Sequence, residues 1–500
     1  MKLPILAAFA AASALLGGPA PAASPLLIEN VTLLSPERAQ PLGNHHVLIR
    51  DERIIAVSAS PIDAPAGTRR LDGTGKYLTP GLTDAHVHVS DAIGVPFATG
   101  DEELESLSRD FFRQQPRSYL YFGVTQVLDT ANRPERVKEF GEQPLHPDIY
   151  RCGAVPIVDG YPLVFVDKEI RHKVFDDYIF EPANADKHPL PAGANPAEHT
   201  PEAVVARVAA SGAICVKTTL EDGFGDATDW PIMTAQTLAR LRAATKKHGL
   251  FLAMHANALD MQRIAVAGNV DLLLHGIWNW NQLQEQPGIP AAVAEHLRNV
   301  RAKNIGYQAT LRVLPGVMDL LDPELLNDPV LKKVVPPRLL AWYRTEPAQW
   351  FRKSIFGPGT DVAGMQARIR EANSRWQTSE HGLRALRHLY ELGQPMLLGS
   401  DTPSAPTYGN QPGYDTYKEM QLMVRAGIPL SAIFAAGTIN NARQLRLDKD
   451  YGTIEKGKVA NLLLLDANPL ADIEAWTKID QVILRGKPIE RETLAADTLE

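Results

Sequence analysis

The chain has 500 residues, of which 45% are hydrophobic and 22% are charged, and it carries a formal net charge of −7. A chain of this length and composition can bury a large hydrophobic core, so we expect one large domain and a smaller one. The negative charge gives no general attraction for nucleic acid or for an anionic membrane surface, and we expect neither as a partner.

The first 23 residues have the form of a secretory signal peptide. One lysine precedes a short apolar run that ends at Leu16, and the small-residue pattern Ala20-Pro-Ala22 follows it. The run is shorter than the roughly 20 residues of a membrane-spanning helix. We therefore expect residues 1–23 to be cleaved and the mature protein to be secreted, in the periplasm of a Gram-negative cell, without a membrane anchor. The alternative is a buried N-terminal helix.

Antiparallel strands are predicted at both ends of the mature chain. Alternating apolar residues mark residues 26–34 and 46–57, and strands of the same kind recur at 452–466 and 479–485. The N-terminal segment is too small to cover both faces of a sheet. We predict that residues 24–79 and 441–500 together form one small β-sandwich.

The middle of the chain, residues 80–440, alternates short apolar runs with helical stretches. This alternation favours strands that are buried on both faces in a parallel sheet or barrel. The clearest runs are 123–129, 213–217, 250–255, 272–275 and 396–401. The two cysteines, Cys152 and Cys215, lie in predicted core strands of this region. A chain of this size needs no disulfide, so we expect buried free thiols, although an oxidising compartment would let them pair.

Residues 78–89 predict a further strand, which starts after Pro80 and Gly81. Asp84, His86 and His88 share one face of it, because side chains two residues apart on a strand point the same way. Two imidazoles at this spacing can bind one metal ion, although a hydrogen-bonded core pair is an ordinary alternative.

Several of the predicted strands end in a polar residue. Because the carboxyl ends of parallel barrel strands meet at one rim, these side chains should converge. The six residues are His86, His88, Lys217, His255, His275 and Asp401. Singly, a capped histidine, a lysine reaching solvent or a helix-capping aspartate would explain each of them. Together they predict a metal site.

These motifs resemble, in order along the chain, those of the metal-dependent amidohydrolase superfamily. The resemblance includes Pro80-Gly-Leu-Thr-Asp-Ala-His-Val-His88, His255, His275 and Gly399-Ser-Asp401, and the closing segments 437–445 and 452–462. It implies an α/β fold, a (β/α)₈ TIM barrel with a β-sandwich built from both termini. It also implies a hydrolase that acts on carbon–nitrogen bonds with one or two divalent metal ions, for which zinc is expected.

The resemblance also assigns ligands and catalytic roles. His86, His88 and Asp401 would hold the more buried ion, and His255 with His275 the second. Asp401 would move the proton from the attacking water to the leaving nitrogen, and His275 would help to polarise the substrate carbonyl.

Lys217 matches the position of a carboxylated lysine that bridges two ions. A protonated lysine beside two dications would be repelled, whereas reaction with carbon dioxide makes it an anionic ligand. Glu221 or Asp222 would substitute if Lys217 does not bind. Asp84 lies earlier on its strand, and we expect it to orient an imidazole without binding metal.

Three further residues are predicted to contact the substrate. Tyr161 would donate to the oxyanion, Arg312 would bind a carboxylate through its forked donors, and Trp278 would line an apolar subsite. Each has an ordinary alternative: Tyr161 as an aromatic packed in a loop, Arg312 as a surface arginine in a salt bridge, and Trp278 as a side chain that packs a helix against the barrel. Two insertions, residues 165–200 and 311–386, are predicted as lids or binding walls.

The favoured function is cleavage of a small-molecule amide, such as a dipeptide or an N-acyl amino acid. Hydrolysis of a cyclic amide or imide and mononuclear deamination are alternatives. Deamination is disfavoured because Ala258 stands where such relatives carry a glutamate. A non-catalytic barrel that serves as a scaffold would be expected to lack some of the six strand-end residues. Association into a homo-oligomer is compatible with the resemblance.

Overall fold

The computed structural model describes residues 24–96, 100–224, 229–357, 364, 378–404 and 406–499. The predicted signal peptide and part of the second insertion therefore lie outside the described residues. Among the helices of the described ranges, none is long and apolar enough to cross a membrane.

The described strands form two sheets. In chain order they are β1 (Leu26–Leu33), β2 (Leu42–Arg50), β3 (Arg53–Ser58), β4 (Arg69–Asp72), β5 (Tyr77–Pro80), β6 (Leu82–Val87), β7 (Val124–Asp129), β8 (Asp148–Ala154), β9 (Cys215–Thr219), β10 (Phe251–His255), β11 (Leu272–Leu273), β12 (Gly306–Tyr307), β13 (Leu462–Leu465), β14 (Ile479–Leu484) and β15 (Lys487–Glu490). The strands β6 to β12 make a curled parallel sheet in sequence order. The prediction of an α/β fold with a parallel central sheet is confirmed.

The parallel sheet is buried on both faces. Every residue of β6, β7, β9 and β10 is buried, which explains why these strands are almost continuously apolar. Leu82 and Val216 of the sheet belong to the same hydrophobic core as Leu107 and Leu238 of the surrounding helices.

The residues 396–402 run beside β6. The Ala85 amide donates to Leu398 O at 3.1 Å, and the amides of Asp401 and His88 donate to His86 O at 2.8 Å and Thr402 O at 3.0 Å. This close approach requires a glycine at position 399, because a Cβ atom there would lie 2.9 Å from the Cβ of His86. The hydrogen bonds place Asp401 directly beside the histidines of β6.

Helices follow most of the parallel strands. The described α-helices are Glu102–Tyr121, Pro134–Gly141, Arg171–Val174, Pro201–Ala210, Ala235–Lys247, Leu259–Ala267, Ala291–Ala302, Val313–Met318, Leu331–Val334, Pro337–Trp342, Trp350–Phe356, Thr378–Glu391, Tyr414–Arg425, Leu430–Ala435 and Asn441–Gln444. Side-chain caps mark several starts: Asp101 accepts from the amides of Glu103 and Leu104, and Thr200 accepts from the amide of Ala203.

The two cysteines form a disulfide, so the prediction of free thiols is wrong. Cys152 of β8 and Cys215 of β9 are partners in the parallel register, with their Cα atoms 4.4 Å apart. Their apolar surroundings were predicted correctly, since both are fully buried. The pairing follows from the register of two strands that are 63 residues apart in sequence, which the sequence pattern does not reveal.

Strands from both termini combine in the second sheet, whose order is β15-β14-β13-β5-β1-β2-β3 with β4 beside β1. The strand β13 joins the two chain ends, because it pairs antiparallel with β5 on one side and β14 on the other. Leu462 and Leu464 face the core of this sheet, whereas Leu463 and Leu465 face the main core. The second sheet is therefore attached firmly to the parallel sheet. The β-sandwich and the boundaries at 79 and 441 stay predictions.

Candidate metal centre

Three buried side chains from separate elements converge beyond the carboxyl ends of the parallel strands. The possible ligand atoms of His86, His275 and Asp401 all lie within 4.8 Å of one another. His86 belongs to β6, His275 follows β11, and Asp401 ends the segment beside β6. The structure thus brings together three of the six strand-end residues in a geometry that suits one metal ion.

Asp401 contacts both histidines of the β6 motif. The Nε2 atoms of His86 and His88 each lie 2.8 Å from its Oδ1. The opposite ring nitrogens face backbone carbonyls: His86 Nδ1 is 3.1 Å from Leu274 O, and His88 Nδ1 is 3.2 Å from Ala131 O. A carbonyl only accepts, so each Nδ1 must carry the proton. In a neutral ring that carries its proton on Nδ1, the Nε2 atom presents a lone pair to the carboxylate.

The charges in this contact suit a bound cation. Burial lowers the pKa of His86 to about 4, so this imidazole is neutral at pH 7. Burial alone would raise the pKa of Asp401, but its contacts with the rings of His86 and His88 hold it well below its usual range. A carboxylate oxygen and a nitrogen lone pair repel at 2.8 Å unless a positive charge lies between them. Imidazole and carboxylate are ligands that zinc and similar divalent ions prefer, so the donor set fits a metal.

Two residues of the centre have left-handed backbone conformations. Asp401 has a φ of +59°, and Thr310 has a φ of +43°. The hydroxyl of Thr310 lies 2.8 Å from Nδ1 of His275, so this threonine fixes the orientation of that ring. Threonine is β-branched and rarely adopts positive φ, and such strain is concentrated at functional sites.

Lys217 lies beside the same centre. Its Nζ is 3.5 Å from His86 Nε2 and donates to Thr130 Oγ1 at 3.2 Å. Burial lowers the pKa of Lys217, which favours the neutral amine.

His255 lies next to His275, and their ring centroids are 4.4 Å apart. The Nε2 atom of His255 is 3.4 Å from Glu221 Oε2 and 3.3 Å from the side-chain Nδ2 of Asn257. Glu221 Oε2 is buried and has no hydrogen-bond partner within the described ranges. This unpaired oxygen beside an imidazole is a further available ligand, as the sequence suggested for Glu221.

Asp84 has a different role from the expected one. Its Oδ1 accepts from the backbone amides of His86, at 3.2 Å, and Ser400, at 3.0 Å, and its Oδ2 accepts from the hydroxyl of Thr416 at 2.6 Å. The contacts of this carboxylate go to the backbone and to a hydroxyl, and not to an imidazole. Asp84 therefore ties β6 to the segment that carries Asp401.

Arg312, which was predicted to bind a substrate carboxylate, has partners within the chain. Its side chain is buried, and its guanidinium binds Asp415, at 3.3 Å, Asp319 and the carbonyl of Gly409. These bonds occupy its Nε and Nη2 donors, and the contact with a substrate stays a prediction.

The other two predicted substrate contacts lie close to the centre. Tyr161 stacks on His255 with ring centroids 4.5 Å apart, and burial raises the pKa of its hydroxyl above the usual value. The ring centroids of Trp278 and His275 are 5.2 Å apart. Trp278 is only 7% exposed, and its indole N–H donates to Ala309 O at 3.2 Å. Trp278 therefore supports His275, whereas Tyr161 faces His255 from the side of the first insertion.

The sequence prediction did not include three of the residues that hold the centre. These are Thr130, Asn257 and Thr310, which bind Lys217, His255 and His275, respectively. Each of them comes shortly after the end of a parallel strand. Extending the strand-end rule from charged residues and histidines to hydroxyls and amides would have found them.

Comparisons with known proteins find matches over parts of the chain. The model of the amidohydrolase family matches residues 357–489. An imidazolonepropionase of Klebsiella pneumoniae subsp. pneumoniae is 46% identical over 59 residues, which are 11% of this chain and 14% of that protein. A deacetylase of Agrobacterium fabrum is 33% identical over 69 residues, or 14% of this chain and 17% of that protein. The chain thus matches less than a fifth of the length of either relative.

Solved structures resemble the chain over almost its whole length. Molinate hydrolase has a TM-score of 0.64 at 20% identity, covering 94% of this chain and 96% of that one. A Xaa-Pro dipeptidase with bound methionine has a TM-score of 0.62 at 19% identity, covering 93% and 100%, and A. niger ochratoxinase has the same score and identity, covering 94% and 96%. At these identities the likeness establishes a common fold.

Proposed function

We propose that the protein is a metal-dependent hydrolase of the amidohydrolase superfamily that cleaves a carbon–nitrogen bond of a small-molecule amide. The observation that carries this proposal is the contact of His86 and His88 with one carboxylate oxygen of Asp401. The family match and the fold shared with several hydrolases support it.

The proposed ligands follow the contacts of the centre. His86, His88 and Asp401 would hold one divalent ion and His255 with His275 a second, and His275 also lies within reach of His86 and Asp401; zinc is the expected metal. When bound, such ions polarise a carbonyl oxygen and lower the pKa of water towards about 7. Asp401 is anionic at neutral pH, so it accepts the proton of the attacking water and returns it to the leaving nitrogen. The hydrogen bond to Thr310 holds His275 in place during this transfer.

Lys217 is proposed to carry a carbamate that bridges the two ions. Its neutral Nζ would attack the carbon of carbon dioxide and lose one proton, which leaves an anionic group with two oxygen ligands. The position of Nζ, 3.5 Å from His86 Nε2, supports this role, because a protonated amine would be repelled by metal ions there. The Lys217→Ala variant should lose bound metal and activity, and propionate should partly restore both. Unchanged metal content in this variant would contradict the carbamate.

Two structural proposals complete this assignment. The segment 396–402 is proposed as the eighth strand of a closed (β/α)₈ barrel, which its backbone hydrogen bonds to β6 support. The sheet built from both termini is proposed to form the β-sandwich of the superfamily.

Export to the periplasm is also proposed. Residues 1–23 have the form of a signal peptide, and the disulfide between Cys152 and Cys215 is of the kind that persists in oxidising compartments. N-terminal sequencing of the exported protein would test this proposal, because a mature chain that still begins at Met1 would contradict it.

Metal removal tests the proposed activity. Purified protein should contain one to two equivalents of a divalent metal by elemental analysis. A chelator should abolish hydrolysis in a panel of dipeptides, N-acyl amino acids and cyclic amides, and added zinc should restore it. His199 is a matched control, since it is buried and its Nδ1 lies 3.0 Å from Tyr178 O within the first insertion. The variant His199→Gln should keep its metal. Full turnover by metal-free protein would overturn the proposal.

A further inference from the structure

Four aromatic side chains form a cluster on two neighbouring loops. Tyr161 and Phe165 follow β8, and Phe224 and Trp230 follow β9. Each ring contacts all three others, with centroid separations from 5.2 to 6.3 Å. We call these four residues the aromatic cluster.

The aromatic cluster begins at the metal centre. Tyr161 stacks on His255 at a centroid distance of 4.5 Å and an interplanar angle of 27°. Its backbone is held at the end of β9, because the hydroxyl of Thr219 donates to Tyr161 O at 2.7 Å. A substrate bound next to His255 therefore has the aromatic cluster as its neighbour.

The outer rings of the aromatic cluster are open to solvent. Phe165 is 65% exposed and Phe224 is 44% exposed. Of the six large hydrophobic residues that are exposed within the described ranges, four belong to these two loops: Phe165, Ile170, Val174 and Phe224. The exposed rings of Phe165 and Phe224 reach the metal centre through Tyr161, and exposed apolar surface in such a place favours a ligand that covers it.

The loop that carries Phe165 is anchored. Arg171 Nη1 donates to Asp159 Oδ1 at 2.7 Å, and His188 Nδ1 lies 3.2 Å from Asp159 Oδ2. The guanidinium of Arg171 also binds Val166 O, at 2.9 and 3.1 Å, directly beside Phe165. The backbone next to the exposed phenyl ring is therefore held by specific contacts.

The packing of the rings distinguishes two kinds of ligand. A cage for a cation surrounds an empty centre with ring faces. Here all six centroid separations lie within the range of rings in direct contact, so the rings fill the space between them. The aromatic cluster is a packed apolar surface, and it suits an apolar planar group that lies against Phe165 and Phe224.

We propose that the aromatic cluster is the subsite for an aromatic substituent of the substrate, so that the enzyme prefers amides that carry such a group close to the scissile bond. This inference rests on the proposed function, since it places the reacting amide beside His255. Arg312, which the sequence suggested as a substrate anchor, takes no part in it.

Calorimetric titration with two product-like acids tests the subsite. The probes are 3-phenylpropanoate and butanoate, which share a carboxylate and differ in the phenyl group. Zinc-loaded wild-type protein should bind the phenyl probe about tenfold or more tightly, because burial of a phenyl group is worth about 1.5–3 kcal/mol. Equal affinity for both probes would overturn the subsite. So would tighter binding of 4-ammoniobutanoate than of the phenyl probe, because it would show that the subsite prefers a cation.

Variants of the exposed rings locate the effect. Phe165→Ala and Phe224→Ala should each weaken phenyl-probe binding roughly three- to tenfold and leave butanoate binding unchanged. Phe165→Leu should keep part of the phenyl preference. Val424→Ala, which removes a 39% exposed apolar side chain elsewhere, should change neither affinity. If the phenylalanine variants bind both probes as the wild type does, the aromatic cluster is not the subsite.

The test of the subsite and the test of the proposed function can fail independently of each other. Metal content and amide turnover are measured on the same protein. A protein that binds metal and hydrolyses amides but shows no phenyl preference contradicts only the subsite. A protein that binds no metal and hydrolyses nothing contradicts the proposed function, whatever its affinity for the phenyl probe.

Discussion

Two buried charged clusters lie on either side of Asp84, and they differ in how completely their charges are paired. In the metal centre, Asp401 contacts His88 and also His86, which burial keeps neutral at pH 7. In the second cluster, Arg312 binds Asp415 and Asp319. Asp401 ends the segment beside β6, whereas Arg312 follows β12 and its partners Asp319 and Asp415 lie in helical segments. The comparison indicates that a buried charged residue marks a candidate functional site where its neighbours are potential metal ligands rather than opposite charges.

Asp84 connects the two clusters. It binds the amides of His86 and Ser400 on one side and the hydroxyl of Thr416, the neighbour of Asp415, on the other. Substitutions on the two sides should therefore separate catalysis from stability.

The largest effect is expected at Asp401. The variant Asp401→Asn should lower kcat about 10²- to 10⁴-fold, because the amide cannot accept the proton of the attacking water. Steady-state kinetics on a substrate found in the amide panel would measure it. Asp319→Asn is the matched control, since Asp319 belongs to the Arg312 cluster and should keep most of the turnover. Comparable activity of both variants would remove Asp401 from the mechanism.

The next effect is expected at Arg312 and concerns stability. The variant Arg312→Met should lower the free energy of unfolding by about 3–5 kcal/mol, because it leaves the buried Asp415 carboxylate without its cation. Urea denaturation would measure this loss, and the folded fraction should retain its kcat. If Arg312→Met keeps wild-type stability and raises KM strongly, the arginine contacts the substrate as the sequence suggested.

The smallest effect is expected at Glu419, whose carboxylate accepts the amides of Leu311 and Arg312 at 3.0 and 2.8 Å. Burial, with added repulsion from Asp84 and Asp415, raises the pKa of Glu419 to about 8. The folded protein then holds this proton at pH values where the unfolded chain has lost it. The contribution of Glu419 to stability should therefore be greatest below the unfolded pKa and fall as the pH rises towards about 8.

The variant Glu419→Gln tests this pH dependence. Its free energy of unfolding should fall less steeply between about pH 5 and 8 than that of the wild type, because glutamine does not titrate. Denaturation curves at several pH values would measure the two slopes. Parallel slopes would show that Glu419 is already ionised in the folded protein.

The sequence predicted those parts of the fold that depend on local patterns. Continuous apolar runs indicated the parallel strands, and the polar residues that end them indicated His86, His275 and Asp401. These features depend on the two-residue period of a strand and on the common direction of parallel strands, and both are visible within a few residues.

The sequence pattern did not predict the partners that the fold brings together over long distances. The disulfide depends on the register of β8 and β9. Arg312 meets Asp415 103 residues later in the chain, and Asp84 meets Thr416 332 residues later. The aromatic cluster joins two loops that no local pattern connects. Such contacts depend on how the elements pack and in which register the strands pair. The local periodicity of a single sequence does not predict either of them.

The disulfide affects how much chain entropy is lost when the first insertion folds. It joins two residues 63 positions apart, and the intervening chain includes the long irregular segment that carries Phe165. In the unfolded chain the cross-link limits how far this segment can spread, so less chain entropy is lost on folding. An oxidised chain can therefore hold this long irregular segment beside the candidate metal centre at a smaller loss of stability than a reduced chain.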